Sequence, residues 1–375
     1  MSEWFIQRLE EIIEVNPKVK LTKGEVYPFI DIDKLSPVLR SVTNEEEKIY
    51  DGQSCSKFSN GDTVFSRITP CLENRKIAKV NIEKGAAFGS TEFYIFRAKQ
   101  GLADPDFVYY LTSSDAVVLP AINSMTGASG RQRADKRFIE RTKLNIPVLS
   151  TQKRIAKILS AYDDLIENNN HRIALLEKSA QELYKEWFVR FRFPGYEKAR
   201  FENGLPEGWE FMKLSKVLTV FYGKDHSKLE DGNIPVYGSG GIMRYCEHAL
   251  YEGESVLIPR KGSLNNIMWV NQPFWTVDTM FYTKALIPNI EKYIYYVLSA
   301  LDMASFNTGA ALPSMTTDIL YHLKIVVPSE TLLEKFDDIV SGLYEQRTML
   351  ESKNNNLIKQ RDLLLPRLMS GKLEV

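Results

Sequence analysis

The stretch TQKRIAKILSAYDDLIENNNHRIALLEKSAQELYKEWFVR at 151–190 decides the architecture. It contains no Gly or Pro, and its apolar residues recur in alternating steps of four and three. One series runs Ile155, Tyr162, Asn169, Leu176, Leu183, and the other Leu159, Ile166, Ile173, Ala180, Trp187. Such spacing, held for about four and a half heptads, marks a long helix with a coiled-coil seam. Asn169 within the seam sacrifices stability and can fix register and orientation. A helix of this length rises roughly 60 Å at about 1.5 Å per residue, far more than a small α/β domain needs to cover its sheet.

The stretch 331–368 repeats the pattern. Phe336, Leu343, Leu350, Leu357 and Leu364 form an apolar series, whereas Val340, Arg347, Asn354, Arg361 and Leu368 form one with a polar middle. A half-polar seam is poor for an isolated helix and reasonable for a helix with one particular partner. We therefore expect the two helices to pair with each other, antiparallel, with a globular domain at either end of the rod. The alternative is that each helix packs only on its own domain.

Outward from the helices, the preceding segments duplicate each other with a period near 180 to 190 residues. FSNGDTVFSR at 58–67 answers to LYEGESVLIPR at 250–260, an acidic-glycine turn leading to a β-type run that ends in arginine. GSTEFYIFRAK at 89–99 answers to WTVDTMFYTKA at 275–285, and the short amphipathic helix DFVYYLTSSD at 106–115 to KYIYYVLSALD at 292–302. MTGASG at 125–130 answers to NTGAAL at 307–312. LNIPVLSTQKRIAKIL at 144–159 answers to LKIVVPSETLLEKFDDIV at 323–340: a strand ends at proline, a Ser or Thr cap follows, and the long helix begins. Five blocks in one order make chance an unattractive explanation. The expected fold is α+β: two α/β domains in pseudo-repeat (1–148 and 193–328), separated by an antiparallel coiled coil of two long helices (149–192 and 329–375).

Composition bounds the function. The 375 residues are 44% hydrophobic, enough for two or three domains with real cores. The opening MSEWFIQRLEEIIEVNPK lacks an apolar core of signal-peptide length, and no run of about 18 apolar residues occurs; we expect a cytoplasmic protein with no membrane association. Cys55, Cys71 and Cys246 are scattered, against a disulfide framework or a zinc site. The 48 basic and 48 acidic residues cancel, so nucleic-acid binding requires local clustering of cations.

Catalytic signatures are missing. There is no Asn/Asp-Pro-Pro-aromatic motif of an adenine methyltransferase, no glycine-rich cofactor loop and no phosphate-binding loop. His171, His226, His248 and His322 have no metal-ligand spacing, so no metal is expected. Ser239 in YGSGGI lacks a nucleophile-elbow frame, and Glu73 with Lys76 is too isolated for a nuclease site.

At this point a family resemblance is clear. Domain, long helix, domain, long helix resembles the specificity subunit of type I restriction–modification enzymes. LPEGWE at 205–210 is similar to the phrase that opens the second target-recognition domain, and IPVYGSGG at 234–241 to the segment after it. Residues 144–188 resemble the central helical region, and QRDLLLPRLMSGKLEV at 360–375 the distal ending. The resemblance spans essentially the whole chain. It implies a non-catalytic subunit with two target-recognition domains, each reading half of a split double-stranded DNA site. The helices would act as a ruler and dock two modification (methyltransferase) subunits, with restriction subunits joining to make an ATP-dependent nuclease. S-adenosylmethionine, ATP and magnesium would belong to those partners and no cofactor to this chain. A rod of roughly 60 Å spans at most about 18 base pairs, so half-sites one to one and a half turns apart are within reach.

In the first domain the best basic cluster is GRQRADKRFIERTK at 130–143, where Arg131, Arg133, Lys136 and Arg137 are expected to touch DNA, approached by a loop made flexible by Gly127 and Gly130. Arg67, Arg75, Lys76 and Lys79 form a second group. In the second domain the candidates are Lys224, Tyr237, Ser239, Arg244, Arg260 and Lys261, although Glu247, Glu252 and Glu254 offset their charge. Tyr109–Tyr110 and Tyr295–Tyr296 occupy matching positions and read as core. Two rival functions stay open from sequence: an enzyme whose motif is unrecognised, and a coiled-coil scaffold that does not recognise DNA.

Overall fold

The computed structural model of the protein describes residues 4–43, 46–83, 85–307 and 313–375. Strands β1 (Trp4–Arg8), β2 (Ile13–Val15), β3 (Val26–Ile30), β4 (Ser41–Val42), β5 (Glu46–Ile49), β6 (Ser56–Ser59), β7 (Thr63–Ser66), β8 (Ile77–Val80), β9 (Ala86–Gly89), β10 (Phe93–Ala98) and β11 (Lys143–Pro147) accompany helices α1 (Leu9–Ile12), α2 (Pro105–Ser113), α3 (Asp115–Asn123) and α4 (Lys136–Arg141). The long helix α5 (Leu149–Tyr184) follows. Then come β12 (Phe201–Glu202), β13 (Leu205–Pro206), β14 (Glu210–Lys213), β15 (Leu218–Tyr222), β16 (Asp231–Gly238), β17 (Gly241–Cys246), β18 (Glu254–Pro259), β19 (Met268–Asn271), β20 (Trp275–Thr276) and β21 (Met280–Ala285). Helices α6 (Glu291–Ser299) and α7 (Thr317–His322), strand β22 (Lys324–Val327) and the second long helix α8 (Glu330–Met369) complete the chain. It forms two compact units, 1–172 with 349–375, and 173–348.

In the first unit, β2-β10-β7-β8-β4 make one sheet and β5-β3-β9-β6 another, with β1 and β11 as a separate ribbon. Side-chain alternation divides β7 and β10 between two cores. Phe65, Tyr94 and Phe96 pack with Phe107, Tyr110 and Leu111 of α2 and with Ile155 and Leu159 of α5. Val64, Phe93 and Ile95 pack with Ile30 and Phe58. Helix α2 starts at Pro105, with the Asp104 carboxylate accepting from the amides of Asp106 and Phe107, which satisfies two donors that a helix start leaves orphaned.

The second unit repeats this plan. β15-β21-β18-β19 follow one another as β2-β10-β7-β8 do, β17-β16-β20 as β5-β3-β9, and β14 pairs with β22 as β1 with β11. Val256, Ile258 and Phe281 face the helical core, whereas Leu257 and Met280 pack with Val236 of the second sheet. The duplication read from sequence is thus a duplication of strand order. NTGAAL at 307–312, which answers to MTGASG, lies almost wholly outside the described residues.

The helices begin differently from the expectation in one respect. The Val148 carbonyl accepts from the amides of Thr151 and Gln152, so α5 starts at Leu149 and Thr151 lies inside its first turn, buried. In α8 the expected cap is found, because the amides of Leu332 and Leu333 donate to the Ser329 carbonyl. After Tyr184, α5 widens into a π turn over Lys185–Val189, where the Arg190 amide reaches the Lys185 carbonyl at 2.8 Å. The extra residue in the turn brings both Trp187 and Phe188 into the core. The Phe188 ring lies 4.7 Å from that of Tyr293 and 5.0 Å from that of Phe336.

The two helices run antiparallel. In the first unit Asp163 meets Arg361 (2.6 Å), Asn169 meets Asn354 (2.8 Å), and Asn354 donates on to Asn170 (2.8 Å). In the second unit Arg347 meets Glu177 (3.4 Å). The partner number falls as the other rises, which defines the direction. Every polar residue in the middle of the α8 seam therefore has a polar partner on α5, at Glu177, Asn170 and Asp163, themselves one heptad apart. Ile155, Leu159, Ile166, Phe336, Val340 and Leu350 are buried, and Tyr162, Asn169, Ile173, Leu176, Leu183, Leu343, Leu357 and Leu364 half-buried.

Candidate nucleic-acid interface

In the first unit the site is built on the end of β7 and the loop that enters α4. Arg67 follows the strand. Its amide donates to the Glu92 carbonyl (2.9 Å), and its own carbonyl accepts from the Ala134 amide (2.8 Å). The loop 126–133 closes on itself through paired bonds between Thr126 and Arg133, and the Thr69 amide donates to the Gln132 carbonyl (3.0 Å). Gly127, at φ +127°, turns the chain so tightly that a Cβ there would sit 3.2 Å from the Arg131 carbonyl oxygen.

These backbone bonds bring Arg67 and Arg133 to one carboxylate. Glu92 accepts from Arg67 Nε (3.2 Å) and from both Nε and Nη2 of Arg133 (2.9 and 2.6 Å). The hydrogen bonds from Arg133 hold the Glu92 carboxyl below its ordinary pKa, against the smaller opposing effect of burial. The Arg67 guanidinium also lies 5.4 Å from the centre of the Tyr94 ring, whose hydroxyl donates to the Ala134 carbonyl at 2.8 Å. Two arginines against one glutamate leave a net positive, part-exposed patch. Arg131 and Arg137 are exposed and have no carboxylate within 4.0 Å among the described residues, whereas Lys136 pairs with Glu140 at 3.3 Å.

The second expected group does not assemble around Arg67. Arg75 pairs with Asp115 at 2.5 Å, Lys76 donates to the Ile32 carbonyl at 3.0 Å, and Lys79 pairs with Asp106. Each takes its own partner. Lys76 and Lys79 are half-buried and act as internal ties rather than as a basic surface.

In the second unit the backbone frame recurs. The Arg260 amide donates to the Thr279 carbonyl (2.8 Å), and its carbonyl accepts from the Met315 amide (2.8 Å). The sequence match had set the acidic residue Asp278 opposite Glu92. The hydrogen bonding moves the register by one, so Thr279 stands there instead. The Arg260 guanidinium lies 5.3 Å from the Tyr222 ring centre and donates to the Asp278 carbonyl at 3.2 Å. No carboxylate lies within 4.0 Å of it among the described residues. Lys261 bridges to Ser314 beside it. The Ser239 carbonyl accepts from Asn266 at 2.8 Å, and a Cβ on Gly262 would stand 2.7 Å from Ser239 Oγ, so this loop is close-packed. Lys224 is exposed, and Arg244 is tied to Asp231 at 2.6 Å.

Tyr237 is a correction. It was expected at the interface, but a register shift in β16 between Val236 and Tyr237 breaks the alternation, and the ring joins its neighbour Val236 in the core between the two sheets, 7% exposed. Its hydroxyl accepts from Gln272 at 3.1 Å. Tyr109, Tyr110 and Tyr296 are buried and Tyr295 partly so. Sequence reasoning missed Glu92, Tyr94 and Tyr222. Only Glu92 carried a signal, as an acidic residue in one of the duplicated blocks.

Comparison with known proteins agrees with this arrangement. Residues 1–178 and 206–360 match the family described as "Type I restriction modification DNA specificity domain". The MjaIX specificity subunit of a type I restriction enzyme from Methanocaldococcus jannaschii is 24% identical over 415 aligned positions, covering 100% of this chain and 94% of the relative. The MjaVIII specificity subunit of the same organism is 25% identical over 414, covering 97% and 93%. A crystal structure of the S subunit of the type I system of M. genitalium superposes with a TM-score of 0.58 at 18% identity, over 98% of this chain and 96% of that one, which shows a shared fold. With two duplicated domains and a family match over most of its length, the chain belongs to the type I restriction modification DNA specificity family.

Proposed function

We propose that the protein is the DNA-reading subunit of a type I restriction–modification complex. Each unit reads one half of a split, asymmetric double-stranded site, and the long helices carry two modification subunits. The observation that supports this most is the repeated frame. Arg67 and Arg260 are held by the same pair of backbone hydrogen bonds, yet their side-chain surroundings differ. An identical scaffold with different contact chemistry suits two different half-sites. Exposed apolar residues on the helices, Leu165 and Leu363 in the first unit and Leu175 and Ile339 in the second, suit protein docking. Restriction subunits would join through the modification subunits. The methyl donor, ATP and magnesium would bind those partners and not this chain, which on this reading catalyses nothing itself.

The test is co-expression with the modification subunit of the same host, followed by mapping of methylated adenines. A split, asymmetric motif of fixed gap is expected. A stable complex that methylates no such motif would favour a scaffold without DNA recognition, and methyl transfer by the chain alone would favour an enzyme.

A further inference from the structure

The carboxylate of Glu92 is one of the groups at the interface that neither composition nor motif singled out, and its placement is constrained. It sits one residue before β10, with its own carbonyl holding the Arg67 amide at 2.9 Å. Its side chain is 20% exposed, and it meets two arginines that are 30% and 45% exposed. The hydrogen bonds to it divide unequally between the two arginines. Arg133 gives up Nε and Nη2, and its Nη1 reaches the Arg131 carbonyl at 3.4 Å. Its fork is consumed within the protein. Arg67 gives up Nε alone. Its terminal Nη1 and Nη2 have no hydrogen-bond partner among the described residues.

A guanidinium held by Nε presents its two terminal nitrogens as a fixed pair. That pair matches the O6 and N7 acceptors of guanine in the major groove, the commonest base-specific contact in protein–DNA complexes. Tyr94 lies against the same guanidinium, 5.4 Å from ring centre to carbon, and restricts it further. The fork has lost rotamer freedom before DNA arrives, so less ordering remains to oppose binding.

From this geometry we infer that Glu92 is a specificity-determining positioning residue: it orients Arg67 to read one guanine of the half-site of the first unit, while Arg133 clamps Glu92 from the other side. The inference rests on the reading that this unit recognises DNA. In the second unit Thr279 stands where Glu92 does and Arg260 has no carboxylate partner among the described residues, so substitution of Glu92 should leave the second half-site untouched. That half-site serves as an internal control.

The experiment uses the full chain in complex with its modification subunits and compares methylated motifs for the wild type, Glu92→Gln and Arg67→Lys. For Glu92→Gln the expected motif keeps its gap and its second half-site. One guanine position in the first half-site becomes degenerate, with discrimination there falling about tenfold or more. Binding to DNA without the site should stay equal or tighten, because a negative charge has gone. Arg67→Lys keeps the charge but removes the fork, and should relax the same position. It also decides the matter if Glu92→Gln does not fold, since a position as strict as in the wild type would then overturn the inference. An unchanged motif with Glu92→Gln overturns it too, as does an equal loss at both half-sites, the mark of a merely structural role. A wild-type complex that methylates no split motif is a different failure: it removes the DNA-reading function itself, and this inference with it.

Discussion

The repeat offers a test of the helix pair in which one half of the molecule supplies the repair for the other. Aligning Leu149 with Glu330, the first residues of α5 and α8, sets Asp163 opposite Tyr344 and Ala180 opposite Arg361. In the first unit Asp163, 2% exposed, accepts from Arg361 at 2.6 Å and from the Tyr110 hydroxyl at 2.5 Å. In the second unit the Tyr296 hydroxyl meets that of Tyr344 at 2.6 Å, with buried Ala180 in the place of the arginine. One repeat uses an ion pair where the other uses a tyrosine and an alanine. Arg361→Ala strands a buried carboxylate, which costs about 3–5 kcal/mol; because Tyr110 still serves one oxygen, we take the lower end, about 3 kcal/mol. For a unit of this size that corresponds to a fall of about 6–12 °C in Tm. Adding Asp163→Tyr copies the arrangement of the second unit and should recover at least half of the loss, because a buried ion pair often gives little net stability over a well-packed neutral replacement. Urea unfolding followed by circular dichroism measures both. A cost below about 1 kcal/mol for Arg361→Ala would refute the buried-charge argument. A double variant as unstable as the two single changes combined would refute the equivalence of the repeats.

Three further outcomes follow from buried or paired charges. Lys292, with its side chain 4% exposed between Glu254 (2.9 Å) and Asp337 (2.8 Å), should cost about 3–5 kcal/mol when changed to Met, since two carboxylates lose their cation; urea unfolding that moves by less than about 1 kcal/mol would contradict this. Burial raises the pKa of Glu291, so its ionised form is disfavoured in the fold: its contribution is full below the unfolded value of about 4.3 and is lost as pH rises through the folded one. Glu291→Gln should therefore stabilise at pH 7 and make little difference near pH 4, as melting curves at the two values would show. Glu92 has the opposite sign, its pKa lowered by Arg133; its contribution is present above about pH 4.3 and fades as pH falls through the lower folded value, so Glu92→Gln should flatten the acid limb of the Tm profile, and a parallel profile would count against the pairing.

Much of the fold was legible because its signals are periodic. Seven-residue spacing marks α5 and α8 regardless of context, and duplicated blocks mark the repeat. The start of α5 was not legible at Ser150 and Thr151, since both are good cap residues and only the backbone shows that Val148 holds the position. The site was half legible. Arg67, Arg133 and Arg260 announced themselves as cations at strand ends and in a glycine-bounded loop. Lys76 and Lys79 looked equivalent, but their ammonium groups find internal acceptors, which a count of charges cannot reveal. Tyr237 follows a register shift in β16 that sends it to the same core as Val236, and a two-residue alternation cannot reveal such a shift. Glu92 needed the register of β7 against β10 before its carboxylate could be set between two arginines far away in sequence.

The same inversion of chemistry on a fixed frame occurs away from the interface. Asp106 on α2 and Lys292 on α6 fall on equivalent positions of the matched segments at 106–115 and 292–302. Asp106 ties its helix to Lys79 of β8, whereas Lys292 ties its helix to Glu254 of β18 and Asp337 of α8. The sign of the charge reverses while its place in the fold holds. Exchange of the two helices between units would set Asp106 against Glu254 and Asp337, and Lys292 against Lys79, repulsions in place of attractions at both sites. Backbone anchors such as the Arg67–Ala134 and Arg260–Met315 bonds are common to both units because they depend on no side chain. Divergence is concentrated in the side chains: at the helices it changes which charges meet, and at the loops Arg67 and Arg260 have different neighbours. A protein that must present two different readers from one duplicated domain needs both kinds of difference, and here they are built from the same device, a carboxylate present on one side and replaced on the other.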